Sequence, residues 1–231
     1  MLELLLNKSR DSSLKILCLG AHSDDIEIGC GGTIMKLLQT YSNVDLLWVV
    51  FSADERRKKE ALKSASLLLE EAMNKEIRIH NFRDSFFPYQ GSDIKESFED
   101  MKAFNPDLIF THQNSDLHQD HNQISKLTYN TFRNHLILEY EIPKYDGDLG
   151  SPNIFSPIDQ KICNQKIELL IDCFKSQNNH QWFSDSTFQA ILRLRGIEAN
   201  SPTGYAEAFY YKKIVMNSNS DLRKLHIIQL L

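Results

Sequence analysis

Cysteine is scarce in this 231-residue chain, and its four thiols, Cys18, Cys30, Cys163 and Cys173, form no C-x-x-C pair. No disulfide framework is implied, which predicts a reducing, cytoplasmic setting. Cys18 falls inside an apolar stretch, where it reads as a small buried hydrophobe. A basic excess is missing too: the net charge of −5 argues against nonspecific nucleic-acid binding. No run approaches the roughly 20 apolar residues needed to cross a bilayer. Met1–Leu6 is too short for a secretory core and is followed at once by the polar Asn7–Asp11. Internal repeats, low-complexity tracts and a domain linker are also absent. What remains is an ordinary soluble composition, 42% hydrophobic and 25% charged. Its length suits a single domain over residues 1–231.

The first two-thirds alternate strand-like and helix-like patterns. Leu14–Leu19, Val44–Phe51, Glu76–Phe82, Asp107–His112 and Leu136–Tyr140 read as strands. Helices are predicted from Thr33 to about Tyr41, over Asp54–Met73 with Asn74 as a left-handed terminator, and over Asp93–Phe104 and Asn122–Asn134. Repeated strand–helix–strand units imply an α/β fold of three layers, a mostly parallel sheet with helices on both faces. Glu141–Pro157 holds three prolines and two glycines and reads as a long substrate-side loop. Helices at Asp159–Phe174 and Thr187–Arg195, the latter stopped near Gly196, and a late strand or edge element at Tyr205–Val215 complete the pattern.

Two polar clusters leave the carboxyl ends of predicted strands, where open α/β sheets place their ligands. Gly20-Ala21-His22-Ser23-Asp24-Asp25 follows the first strand; Asp116-Leu117-His118-Gln119-Asp120-His121 follows the fourth. Imidazole and carboxylate are standard zinc ligands, and three of them with an open fourth position characterise catalytic zinc. His22, Asp25 and His121 make such a set, leaving Asp24 and His118 as base and acid candidates. The competing structural readings are helix caps: Asp24 or Asp25 for the first helix, and Asp116 with Gln119 as reciprocal partner for the fourth. Gly29-Cys30-Gly31-Gly32 suits close helix–sheet packing better than a phosphate cradle, because Asp24 and Asp25 would repel a pyrophosphate. Glu55–Glu60 is a charged helix face with i,i+4 pairs. His80, His135, His180 and His226 read as structural or exposed, and His112 as a weak pocket candidate. Trp48 belongs to the core; Trp182 and Tyr205 offer aromatic faces to a sugar, with core packing as the competing reading.

Ala21-His22-Ser23-Asp24-Asp25 with Gly29-Cys30-Gly31-Gly32-Thr33 resembles the AHPDD…GxGGT signature of the PIG-L (LmbE-like) N-acetylsugar deacetylases. Asp116–His121 resembles that family's DxHxDH motif. Arg57 to Ala61, Phe174–Gln177 and Tyr205–Phe209 are similar to its weaker signatures. The resemblance implies a Rossmann-like fold and a zinc-dependent hydrolase acting on a small-molecule N-acetylated amino sugar of the N-acetylglucosamine type. Ferrous iron accepts the same donors, and self-association is compatible with the resemblance. It further implies His22, Asp25 and His121 as metal ligands and Asp24 as general base. His118 would stabilise the oxyanion or protonate the amine, with Asp120 tuning it, and Arg57 would contact substrate. Ser23 departs from the pattern, replacing the usual proline. The alternatives are an amidase for another N-acyl group and a metal-free nucleotide- or sugar-binding module.

Overall fold

The computed structural model describes Leu6, Lys8, Ser9 and residues 12–215; His226 and most of the segment read as too short for a secretory core lie outside the described residues. Strand β1 (Leu14–Gly20) is buried on both faces: Leu14, Ile16 and Cys18 point into one core, Leu17 and Leu19 into the other. It sits centrally in the seven-stranded order β3-β2-β1-β4-β5-β7-β6. Strands β2 (Val44–Val50), β3 (Asn74–Ile79), β4 (Leu108–His112) and β5 (Leu136–Tyr140) run parallel with it. The chain builds outward from β1 through β2 to β3, then returns to place β4 on the other side of β1. The order therefore reverses between β1 and β4, the position at which doubly wound sheets open a ligand crevice.

Helices α1 (Asp25–Thr40), α2 (Glu55–Leu68) and α5 (Gln160–Cys173) pack together over one face; α3 (Gly91–Asp100) and α4 (Gln119–Thr131) cover the other. No helix among the described residues is long and apolar enough to cross a membrane. The α/β expectation therefore holds, with several local corrections. Helix α1 starts at Asp25, eight residues before the expected Thr33, and runs through all three glycines. Two of them serve close approach: a Cβ on Gly29 would lie 2.2 Å from the Tyr140 ring, and one on Gly32 3.0 Å from Glu207 Oε1. Asn74 does not terminate α2 in a left-handed conformation; it opens β3, and α2 ends at Leu68.

Strand pairing organises part of the expected 141–157 loop. Strand β6 (Ile154–Ile158) is an edge strand, which tolerates Pro157. It pairs antiparallel with β7 (Tyr205–Tyr210), which lies between β6 and β5 and is no edge. Helix α6 (Asp185–Glu198) passes through Gly196 instead of stopping there. A Cβ at Gly196 would strike the Gly204 carbonyl at 2.1 Å, so this glycine lets α6 rest on the chain entering β7.

Buried ion pairs lock this C-terminal part against α1 and against the end of β5. Lys166 on α5 donates to Ile28 O and to Glu207 Oε1, both at 2.6 Å. Glu207 in turn accepts from the Gly32 and Thr33 amides in the middle of α1, at 2.8 and 2.6 Å. Arg195 on α6 grips Glu141 with two bonds of 2.7 Å, the bidentate geometry that makes arginine–carboxylate pairs directional.

Candidate active site

The turn after β1 is held by its own side chains. Asp25 Oδ2 accepts the His22 amide at 2.6 Å, and Asp24, at the N-cap position of α1, makes no capping hydrogen bond with its side chain. The cap reading of the Asp24–Asp25 pair therefore fails. Across the crevice, α4 begins at Gln119 and is capped by His118, whose Nδ1 accepts the Asp120 amide at 3.3 Å. Asp116 does not cap through Gln119. Its Oδ1 accepts the His118 amide and its Oδ2 meets His121 Nδ1 at 2.9 Å.

His22, Asp25 and His121 converge. His22 Nδ1 lies 3.1 Å from His121 Nε2 and 3.4 Å from Asp25 Oδ2, and His121 Nε2 lies 3.5 Å from Asp25 Oδ1. Ligands about 2.1 Å from a tetrahedral zinc stand about 3.4 Å apart, so these atoms fit such an ion. Each imidazole also offers its second nitrogen to a carboxylate, as metal-bound histidines do. His121 Nδ1 has Asp116, and His22 Nε2 has Asp84 Oδ1 at 3.2 Å and Asp120 Oδ2 at 3.5 Å. His118 belongs to an alternative donor trio with His22 and His121.

Electrostatics favour the deprotonated donors a metal requires. Burial, reinforced by the neighbouring His112, pulls His121 down to about 3. Burial works against a charge on Asp25, yet the His121 and His112 imidazoles hold its carboxyl well below the usual range. His22 is the exception. Burial opposes its charge, but Asp120, Asp25 and Asp84 raise it well above the ordinary value, so a cation binding there releases a proton. Asp24 is raised by burial, with Arg57 opposing part of the rise.

Arg57, on the first turn of α2, donates from Nε to Ser23 Oγ at 2.9 Å and from Nη2 to Asp24 Oδ1 at 3.1 Å. The serine that replaces the expected proline thus supplies an acceptor that proline lacks. Among the residues predicted from sequence, His22, Asp24, Asp25, Arg57, His118 and His121 all line one cavity of about 310 Å³. Asp120 lies beneath it. Its carboxylate accepts the Ser85 amide at 2.6 Å and the Phe87 amide at 3.1 Å, and it touches His118 through its own backbone amide. His112 is also beneath: fully buried, its Nε2 accepts the Ala21 amide at 2.9 Å and lies 3.2 Å from Asp25 Oδ2.

Sequence reasoning missed Asp84 and Lys144. Asp84 follows β3 at the same carboxyl edge, which was its one legible signal. Lys144 pairs locally with Asp148 at 2.6 Å and reaches back to Asp116 at 3.1 Å, the latter a contact across the fold that no local pattern announces.

The family model for GlcNAc-PI de-N-acetylase matches residues 17–132, half of the chain and both clusters. The chain belongs to the PIG-L family. Solved structures share the PIG-L fold across nearly its whole length. The conserved protein TT1542 from Thermus thermophilus is 19% identical with a TM-score of 0.68, covering 88% of this chain and 97% of its own. N,N'-diacetylchitobiose deacetylase from Pyrococcus horikoshii is 22% identical with a TM-score of 0.64, covering 90% and 88%. GalB, the 4-carboxy-2-hydroxymuconate hydratase from Pseudomonas putida, is 15% identical with a TM-score of 0.68, covering 89% and 100%. A hydratase on the same scaffold shows that the PIG-L fold does not by itself determine the reaction.

Proposed function

We propose that this PIG-L family member is a zinc-dependent hydrolase that removes acetyl from an N-acetylated amino sugar, yielding acetate and a free amine. The observation that carries the reading is the convergence of His22 Nδ1, Asp25 and His121 Nε2 within 3.5 Å, with Asp24 and His118 on the same cavity. A divalent ion supplies Lewis acidity, polarising an amide carbonyl and making water acidic enough to attack near neutral pH.

The chain's own residues then divide the work. Asp24, free of any cap and raised by burial, takes the proton of the attacking water. Arg57 aims that carboxylate and, as a lining residue of the same cavity, would contact the substrate. His118 accepts the Asp120 amide at Nδ1, which leaves the proton on Nε2. That tautomer makes it an N–H donor to the developing oxyanion. Asp120 supports the site from below by fixing the Ser85–Phe87 turn that presents Asp84 to His22.

The test is metal analysis of purified protein combined with acetate release from N-acetylglucosamine conjugates. The reading predicts one zinc per chain and stoichiometric acetate and amine. Undiminished turnover after zinc is stripped by a chelator would sink it. Hydration of a muconate-type acid without acetate release from any acetamide would favour the hydratase chemistry instead.

A further inference from the structure

We infer that the outer part of the cavity is a subsite for an uncharged second ring stacked on Trp182, so that the substrate is a neutral glycoside of the acetamido sugar and not a phosphate-linked one. This inference rests on the deacetylase reading for the identity of the first ring. Its own support lies in the rim. At about 310 Å³ the cavity falls within the on the order of 300–1,000 Å³ that accommodates ligands larger than a single small ring. Two segments distant in sequence extend it beyond the buried donors: Ile142–Asp146, with Tyr145 largely exposed, and Gln177–Trp182.

Trp182 is anchored while its indole lines the opening. It packs against the core and meets Phe183 edge-on at 5.6 Å, and His180 stacks on it at 5.9 Å with an interplanar angle of 22°. A fixed indole with an electron-rich face suits the C–H face of a pyranose or another flat, uncharged ring. Charge argues the same way. Arg57 and Lys144 are the lysine and arginine residues among the described lining, and both are engaged. Arg57 binds Ser23 and Asp24; Lys144 binds Asp116 and Asp148. Asp24, Asp84 and Asp146 line the same space. A phosphate or diphosphate entering it would meet carboxylates and no unpaired ammonium or guanidinium.

Tryptophan fluorescence tests this directly, because the chain has two tryptophans and Trp48 is wholly buried in β2. Zinc-loaded full-length protein is mixed with N-acetylglucosamine, N,N'-diacetylchitobiose or uridine-diphosphate N-acetylglucosamine, and emission is read within seconds. The disaccharide should bind about tenfold tighter than the monosaccharide and perturb the emission, with the nucleotide sugar weaker than the disaccharide. By calorimetry, Trp182→Ala should collapse the disaccharide-to-monosaccharide ratio toward one, and Trp182→Phe should restore most of it. Equal zinc content and melting temperature in both variants will exclude misfolding. A nucleotide sugar that binds as tightly as the disaccharide, a ratio untouched by Trp182→Ala, or no binding of either neutral sugar would each overturn the subsite. Acetate release without any disaccharide preference would leave the deacetylase reading standing and this one refuted; the preference without acetate release would do the reverse.

Discussion

Helix α1 is met by buried charge at two places, and the two are built to opposite rules. In its middle, every ion has a counter-ion: Lys166 meets Glu207 at 2.6 Å, and the nearby Arg195 meets Glu141 at 2.7 Å. At its N-terminus, electron-pair donors converge on one another. Two imidazole nitrogens and a carboxylate lie within 3.5 Å of one another. The first cluster is complete as it stands and holds the fold. The second crowds imidazoles and carboxylates together and shifts their proton affinities strongly in both directions, and such a cluster marks a candidate functional site.

Substitutions should separate the two clusters cleanly. Asp25→Ala removes a donor and should abolish zinc binding and lower kcat/KM by more than about 10³-fold, since the ion supplies several kcal/mol of transition-state stabilisation. Metal content and acetate release check it. Asp24→Asn should keep its zinc yet lower kcat by about 10²–10⁴-fold. If its metal departs as well, Asp24 is a ligand and the division of labour is wrong. Lys166→Met should do the converse, leaving the buried Glu207 unpaired and costing about 3–5 kcal/mol in denaturant unfolding, with zinc stoichiometry intact.

Smaller effects sharpen the boundary. Asp116→Asn weakens the partner of His121 Nδ1 and should lower zinc affinity about 10–100-fold, measured by competition with a chromogenic chelator. Glu27, wholly buried beside Ser64, is pushed by burial up to about 8. Because its folded pKa is raised, the native state keeps a proton that the unfolded chain loses above about 4.5. Stability therefore declines between those values, by at most about 1.4 kcal/mol per pH unit from this group. The melting temperature of Glu27→Gln relative to the parent should rise steadily from pH 5 to pH 8. A difference that stays flat with pH would mean Glu27 is ionised in the folded protein.

The parallel strands were legible because residues such as Leu14 to Leu19 and Val44 to Val50 are apolar on both faces, which needs no partner to read. The two clusters were legible for a related reason: each leaves a strand within a few residues, so sequence proximity and spatial proximity coincide. The start of α1 was hidden because Gly29, Gly31 and Gly32 lower helix propensity, and Tyr140 and Glu207, which explain Gly29 and Gly32, lie far away in sequence. Strand β6 was hidden because Pro152 precedes it, Pro157 lies within it, and its pairing with β7 spans some fifty residues of chain. Asp84 and Lys144 act through the fold alone. The cap expected of Asp116 failed because its carboxylate has a better partner in an imidazole five residues on.

Gly29 bears on how such an enzyme diversifies. With no side chain between the α1 backbone and the Tyr140 ring, the cavity-lining end of that helix is seated by backbone contact, while the mouth of the cavity is furnished by long segments after β5 and α5. Exchanging Tyr145, His180 or Trp182 leaves that seat undisturbed. A directed-evolution library confined to 142–146 and 177–182 should therefore yield many folded, metal-binding variants with altered substrate range, whereas a library at Gly29 should yield almost none.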